Sequence, residues 1–430
     1  MQKDLLEIST QQLLKMLNKN DIAIIDTRPT EAYNGWQLYN EPRGGHIKGA
    51  RTLPAKWAEY IDWIEIVRNK GIFPDQKIIL YGYSEQETGV VANRFKGAGY
   101  NELYIYRGFL KEWSASDQYP MEKMMRYRNL VYPQWLKMLI SGDNPPLYDN
   151  GKNYVLCHAH YRNYGDYLEG HIPGAIALDT LSLESPDTWN RRSPGELKAA
   201  LEHHGITSET TVILYGRYSF PNNEDPFPGS AAGQLGAIRC ALIMMYAGVK
   251  DVRILNGGIA SWEAENLPIE KDEIKPKSVN DFGVDIPAQP RLIVDLEEAK
   301  QLIDSPEGDI VCTRSWPEYI GEVSGYNYIE QTGRIPGAVY VNNGSDAYHM
   351  ENYQNLDFTT REFGEIITML TEAGLSADKR LAFYCGTGWR GSEAFYNVWL
   401  LGWPDVAVFD GGWFEWSNDP KNPVESGITK

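Results

Sequence analysis

Cysteine is scarce in this chain. Four are spread over 430 residues, at 157, 240, 312 and 385, and none has the CxxC or other spacing that ligates a metal. So few thiols in so large and apolar a chain argue against a disulfide framework, and free thiols are expected. Long hydrophobic runs are missing too, so nothing is expected to span a bilayer. Positive charge is short. The formal net charge is −17 at pH 7, which argues against a nucleic-acid surface or an anionic membrane as partner. An anion could bind only in a local positive pocket. The opening residues, Met1-Gln2-Lys3-Asp4-Leu5, lack the basic-then-apolar pattern of a secretion signal. A cytoplasmic protein is expected from the sequence as it stands, or a periplasmic one if a signal peptide has been removed. Histidine is sparse as well. His158 and His160 have metal-pair spacing but no third ligand in view, and His203-His204 reads as solvated on a polar helix face. No metal is expected.

What the chain does have is internal repetition, which is the first thing to look for. Three segments recur in one order. Each begins with a strand ending in a polar turn, with a tyrosine seven residues on: Asp26 and Tyr33, Cys157 and Tyr164, Cys312 and Tyr319. A short turn follows: His46-Ile47-Lys48-Gly49-Ala50, His171-Ile172-Pro173-Gly174-Ala175, and Arg334-Ile335-Pro336-Gly337-Ala338. A second apolar strand then ends at Tyr81-Gly82, Tyr215-Gly216 and Tyr384-Cys385. Each copy closes on a glycine-containing turn and a tryptophan: Trp113, Trp262 and Trp416. Strands alternating with helical segments imply an α/β fold, a mostly parallel sheet flanked by helices on both faces in each copy. Reactive groups should gather beyond the carboxyl ends of the strands. The expected domains are 1–120, 125–272 and 288–430. Residues 271–290, with three prolines and scattered charge, read as a linker that packs little. The second copy carries an extra loop at 219–232. It is either a tolerated surface insertion or a rim to the third copy's pocket.

The copies differ where chemistry would sit. Aligned on the second apolar strand, Gly82 and Gly216 stand where the third copy has Cys385. Only the third copy has a nucleophile there, so the first two are expected to be inactive. Cys385 lies between an apolar run at 381–384 and a helix-like run at 392–401, on the turn Gly386-Thr387-Gly388-Trp389-Arg390-Gly391. Such a turn points backbone N–H groups inward and adds the positive end of a helix dipole, which favours a thiolate. Cys240 sits in an apolar helical run and reads as core, and Cys312 as a small buried filler.

The tripled pattern, the His-Ile-Pro-Gly-Ala turn, the Cys-Gly-Thr-Gly-Trp-Arg loop and the Asp-Gly-Gly-Trp closing segment resemble the rhodanese sulfurtransferases over essentially the whole chain. The resemblance implies three tandem rhodanese-like domains, a persulfide on Cys385 as intermediate, and no cofactor. It implies a small anionic donor, thiosulfate, with cyanide or a thiol as acceptor. Arg390 is then the first candidate for the donor's sulfonate and Arg314 the second, with an ion pair to Glu318 or Glu322 as the alternative for Arg314. Gly386, Thr387, Gly388 and Trp389 complete the expected binding loop, with Ser392, Trp316 and Glu318 nearby. The family's first strand commonly ends Asp-x-Arg, as in Asp26-Thr27-Arg28, whereas the third copy reads Cys312-Thr313-Arg314. No acid role is therefore expected at Cys312.

Three rivals stay open. A cysteine phosphatase would place five residues between its cysteine and arginine; here four intervene, 386–389, and that smaller ring suits sulfur better than phosphate. A 3-mercaptopyruvate sulfurtransferase would share the first half of the loop. A persulfide-carrying docking protein would use the two glycine-bearing copies to hold a sulfur-accepting partner.

Overall fold

Runs such as Lys77–Tyr81, Thr211–Tyr215 and Arg380–Tyr384 are apolar at nearly every position, not at alternate ones. A strand of that kind is stable only when covered on both faces, as in a parallel sheet between helices. The computed structural model, which describes residues 5–149, 151–217 and 233–428, places them that way. Among these residues there are three five-stranded sheets, all parallel. In spatial order the first runs Leu6–Glu7, Leu103–Ile105, Lys77–Tyr81, Ile22–Asp26 and Arg51–Thr52. The second runs Ile176–Asp179, Tyr154–His160, Thr211–Tyr215, Asp251–Leu255 and Leu130–Val131. The third runs Ile293–Val294, Val406–Phe409, Arg380–Tyr384, Gly308–Cys312 and Val339–Tyr340. The first sheet belongs to a compact unit, Met1–Arg128; the other two share the unit Asn129–Lys430. No helix of the described residues is long and apolar enough to cross a membrane.

The repeated tyrosines have a common task. In each copy one hydroxyl accepts the N–H of the isoleucine in the recurring turn: Tyr81 from Ile47 at 3.1 Å, Tyr215 from Ile172 at 2.8 Å, Tyr384 from Ile335 at 3.4 Å. A second hydroxyl donates to the alanine carbonyl that ends the turn: Tyr33 to Ala50, Tyr167 to Ala175 and Tyr319 to Ala338, at 2.8–2.9 Å. In the second copy that tyrosine is Tyr167, not Tyr164. The strand register agrees. Asp26 pairs with Tyr81, His158 with Tyr215 and Cys312 with Tyr384. The position of Cys312 is thus held in the second copy by His158, one residue beyond Cys157. Two extra residues before Tyr167 hid the offset, because a seven-residue spacing survives by coincidence.

In the unit Asn129–Lys430 the helix Gly233–Ala247 is buried along its whole length. It packs on the second sheet with one side and on the helix Trp389–Leu400 with another. That explains a sequence without a polar stripe, its Gln234 and Arg239 buried with the rest. Cys240 is buried in it. Segment 271–290 does not hang free. Val279 N donates to Glu202 O (2.9 Å), Ser208 N to Phe282 O (2.8 Å), and the Phe282 ring is buried. These contacts hold it along the second copy, and Phe282 anchors it. His204 also departs from expectation: it is buried, its Nδ1 2.7 Å from Ala200 O, while His203 is exposed. The loop at 219–232 lies outside the described residues.

Candidate active site

Cys385 follows the central strand Arg380–Tyr384 directly, and the helix begins at Trp389, three residues before the expected start. Gly388, left-handed at φ 88°, is the cap that turns the chain into the helix. The loop is therefore only Cys385 to Gly388, and Arg390 belongs to the helix's first turn. The loop is braced from the closing segment of the same copy. Trp413 N donates to Cys385 O (2.8 Å) and Phe414 N to Gly386 O (2.9 Å). A Cβ on Gly412 would stand 2.7 Å from Gly386 O, so this approach needs glycine. Over the loop lies Tyr326, whose ring would be 2.3 Å from a Cβ on Gly386. Cys385 is fully buried beneath it.

Arg390 has its planar fork on Glu318: Nη1 to Oε2 at 3.0 Å and Nη2 to Oε1 at 2.8 Å. It also donates to Asp346 O (3.0 Å) and to the Tyr326 hydroxyl (2.6 Å). Glu318 is buried and further accepts Ser315 N and Oγ at the cap of the helix Trp316–Ile320. Burial opposes its ionisation, but Arg390 and then Arg314 outweigh burial and hold the carboxyl below its ordinary value. Burial pushes the Tyr326 phenol well above its ordinary value, against the pull of Arg390, so it keeps its proton at neutral pH. Arg314 is buried behind the loop. It donates to Gly333 O (2.6 Å) and lies over the Trp413 ring at 4.8 Å. The ion pair weighed for Arg314 is instead made by Arg390.

Thr387, Trp389 and Arg390 line a pocket of about 540 Å³, mouth included. Tyr326, Tyr328 and Tyr348 join them from the third copy, and Tyr161, Trp189 and Leu235 from the second. The rings touch. Trp189 and Tyr328 have centroids 4.7 Å apart, Tyr161 meets Trp389 edge-on at 5.2 Å, and Trp189 Nε1 donates to the Tyr161 hydroxyl at 2.9 Å. Six aromatic side chains thus border the space, and sequence reasoning named one of them, Trp389. A signal existed for two others. Between the turn-fastening tyrosine and the recurring turn there are twelve positions in the first copy, three in the second and fourteen in the third. The long third segment carries Tyr326 and Tyr328. Nothing in the sequence pointed to Tyr161 or Trp189. Ser392 donates to Gly388 O (2.7 Å) and helps close the helix cap. Trp316 packs on Tyr319 and Tyr340, is partly exposed, and does not line the pocket. No cluster of metal-ligating residues occurs among the described residues.

The glycines of the other copies are not neutral vacancies. A Cβ on Gly216 would lie 2.2 Å from the backbone of Gly233, and one on Gly82 would lie 2.4 Å from Thr27 Oγ1. In both copies the backbone or a packed side chain has closed on the position.

This frame, a thiol on a glycine turn between a central parallel strand and its helix, defines the class. The family model of the rhodanese-like domain matches residues 9–116, 159–265 and 295–419, and the chain belongs to the rhodanese family; it is a three-copy sulfurtransferase acting on a small sulfur substrate. It is 39% identical to the thiosulfate sulfurtransferase YnjE of Escherichia coli (strain K12) over 426 residues, 98% of this chain and 93% of YnjE. It also resembles solved structures of EanB in complex with hercynine, at 55% identity and a TM-score of 0.97 over 99% of each chain. A further EanB structure holds a cysteine persulfide in a tetrahedral intermediate state with ergothioneine. The sulfur carrier protein TtuD of Thermus thermophilus is 28% identical over 61% of this chain and 87% of its own length.

Proposed function

We propose that this protein carries sulfane sulfur as a persulfide on Cys385 and delivers it to the imidazole C2 of an acceptor of the hercynine class, giving the 2-thione. The aromatic pocket beside Cys385 carries this reading. A trimethylammonium group keeps its charge without donating hydrogen bonds, and the faces of Tyr and Trp are its natural partners. Six such rings border the space next to the cysteine loop, and EanB, a 55% identical neighbour, is seen with hercynine.

In the first half-reaction the thiolate of Cys385 attacks the sulfane sulfur of a donor, and the donor's remaining group leaves with the bonding pair. In the second, the imidazole C2 attacks the outer sulfur of the persulfide. The S–S pair returns to Cys385 as thiolate, the C2 proton is lost, and a nitrogen keeps the proton of the thione form. Carbon is oxidised by two electrons and the transferred sulfur is reduced by two. The Tyr326 hydroxyl accepts from Arg390 and so presents its own proton to the pocket, where it can support the imidazole during this exchange. The Arg390–Glu318 pair gives the site little net positive charge. That speaks against a dianionic donor resting on Arg390, the first expectation for thiosulfate. YnjE's name supports that second reading.

One experiment separates the two. The protein is given inorganic polysulfide with hercynine, or thiosulfate with cyanide, and the products are measured by mass spectrometry and thiocyanate assay. Ergothioneine formation that disappears in Cys385→Ser is the expected result. Thiocyanate formation with no ergothioneine would replace this reading with the thiosulfate one.

A further inference from the structure

The second copy has no thiol at its own loop, yet its side chains are built into the third copy's pocket. Glu184 is fully buried, and both carboxylate oxygens accept the Nε1–H of Trp389, at 3.0 Å each. Arg239, also fully buried, donates Nε to Glu184 at 3.2 Å. Its Nη2 donates to the backbone oxygen of Trp189 (2.9 Å) and to Asp410 Oδ1. Asp410 Oδ2 accepts Arg191 N (2.8 Å) and Nη1 (3.1 Å). Asp410 opens the closing segment whose next residues brace the carbonyls of Cys385 and Gly386. The Arg239 guanidinium also abuts the cysteine turn, with Nη1 3.3 Å from where a Cβ on Gly388 would be.

A row of alternating charges, buried at Glu184, Arg239 and Asp410 and half-buried at Arg191, which also pairs with exposed Asp295, makes a poor device for stability. Taking them out of water costs about what their attraction returns, and apolar residues of similar volume do as well or better. What such a network can do is hold groups in one place. Here the groups held are Trp389 and Trp189, both of which line the pocket. We infer that Glu184 and Arg239 of the second copy are positioning residues that set the spacing of the two tryptophan walls, and through it the acceptor specificity of a cysteine in the third copy. This rests on the acceptor pocket described above. It gives the second copy a part in recognition although it has lost its own chemistry.

The test uses the full chain, with Glu184→Ala and Glu184→Gln. The glutamine keeps an oxygen that can accept the indole N–H and removes the charge. Three quantities are read: sulfur loading of Cys385 by intact mass after polysulfide, KM and kcat for hercynine, and the fluorine resonance of fluorotryptophan-labelled protein, assigned by Trp389→Phe. In Glu184→Ala the loading should persist, the hercynine KM should rise roughly tenfold with a smaller change in kcat, as loss of one such hydrogen-bonded contact predicts, and the Trp389 resonance should move. Glu184→Gln should recover most of the KM and much of the resonance position. An unmoved resonance and an unchanged KM in Glu184→Ala would overturn the inference, and so would equal loss of loading, KM and kcat in both variants. If the wild-type protein loads sulfur but does not turn over hercynine, the acceptor assignment fails while the resonance still decides whether Glu184 positions Trp389.

Discussion

At the scale of single residues, Tyr326 and Glu393 make the clearest predictions. Tyr326 contributes a ring that packs on Gly386 and a hydroxyl that pairs with Arg390. Tyr326→Phe keeps the first and removes the second. Persulfide loading should survive, and transfer from the loaded enzyme should fall by ~10²–10⁴, the range for a lost proton-handling group; single-turnover kinetics from the preloaded protein checks it. Glu393, buried in the helix after the cysteine loop, has Gln354 as a hydrogen-bond partner at 2.8 Å. Burial lifts its carboxyl from 4.5 to about 7, with Gln354 pulling the other way. The native state therefore holds this proton where the unfolded chain has released it. Its contribution is highest below the unfolded value and falls as pH rises from 4.5 through about 7, by roughly 3 kcal/mol at most. Glu393→Gln should raise the melting temperature at pH 8 and leave it nearly unchanged at pH 4. A wild-type and variant pair with parallel pH profiles would contradict this.

At the scale of elements, the strand–turn–helix unit that carries Cys385 exists three times, and the copies differ in what packs against its turn. The alignment makes Gly82 and Gly216 look like simple losses of a thiol. The structure shows that the space for the thiol has also closed, from Gly233 in one copy and Thr27 in the other. Gly216→Cys should therefore fail to install a second carrier. Treatment with polysulfide should add sulfur at one site per chain, and the variant should be less stable than wild type by the ~1–3 kcal/mol typical of forced overpacking. Two sulfurs per chain at full stability would show that the second copy is merely unarmed. The helix Gly233–Ala247 makes a related point. Its lack of any polar stripe is unhelpful as a periodicity signal, yet it records a helix wedged between a sheet and another helix.

At the scale of the whole molecule, every residue lining the pocket lies between 161 and 390, inside the unit Asn129–Lys430. A fragment of residues 129–430 that folds should load sulfur and transfer it with kcat/KM within about threefold of the full chain, since it keeps every residue that lines the pocket. The assay is hercynine turnover by purified fragment, with circular dichroism to establish folding. A large fall in transfer by a folded fragment would assign the first copy a direct part in the reaction. The two copies in the longer unit divide the work differently: one supplies the sulfur carrier, the other two aromatic walls and the charges that hold Trp389.

Much of this was open to reading from residues alone. Apolar strands, recurring tyrosines and glycine turns repeat at regular order because each copy must close the same local hydrogen bonds, and local bonds leave local patterns. The position of Cys385 between strand and helix, and its absence from two copies, are facts of that kind. The offset between Cys157 and His158 was not readable, since register is set by partners across a sheet rather than by neighbours in the chain. The pairing of Arg390 with Glu318, 72 positions apart, was decided by the folding of the third copy, and the arrival of Tyr161, Trp189 and Glu184 around Trp389 only when two copies packed against each other. The chain by itself determined which sulfur can move. Long-range packing decided what it can be moved to, because an acceptor is recognised by the shape and charge of a cavity, and this cavity lies between domains.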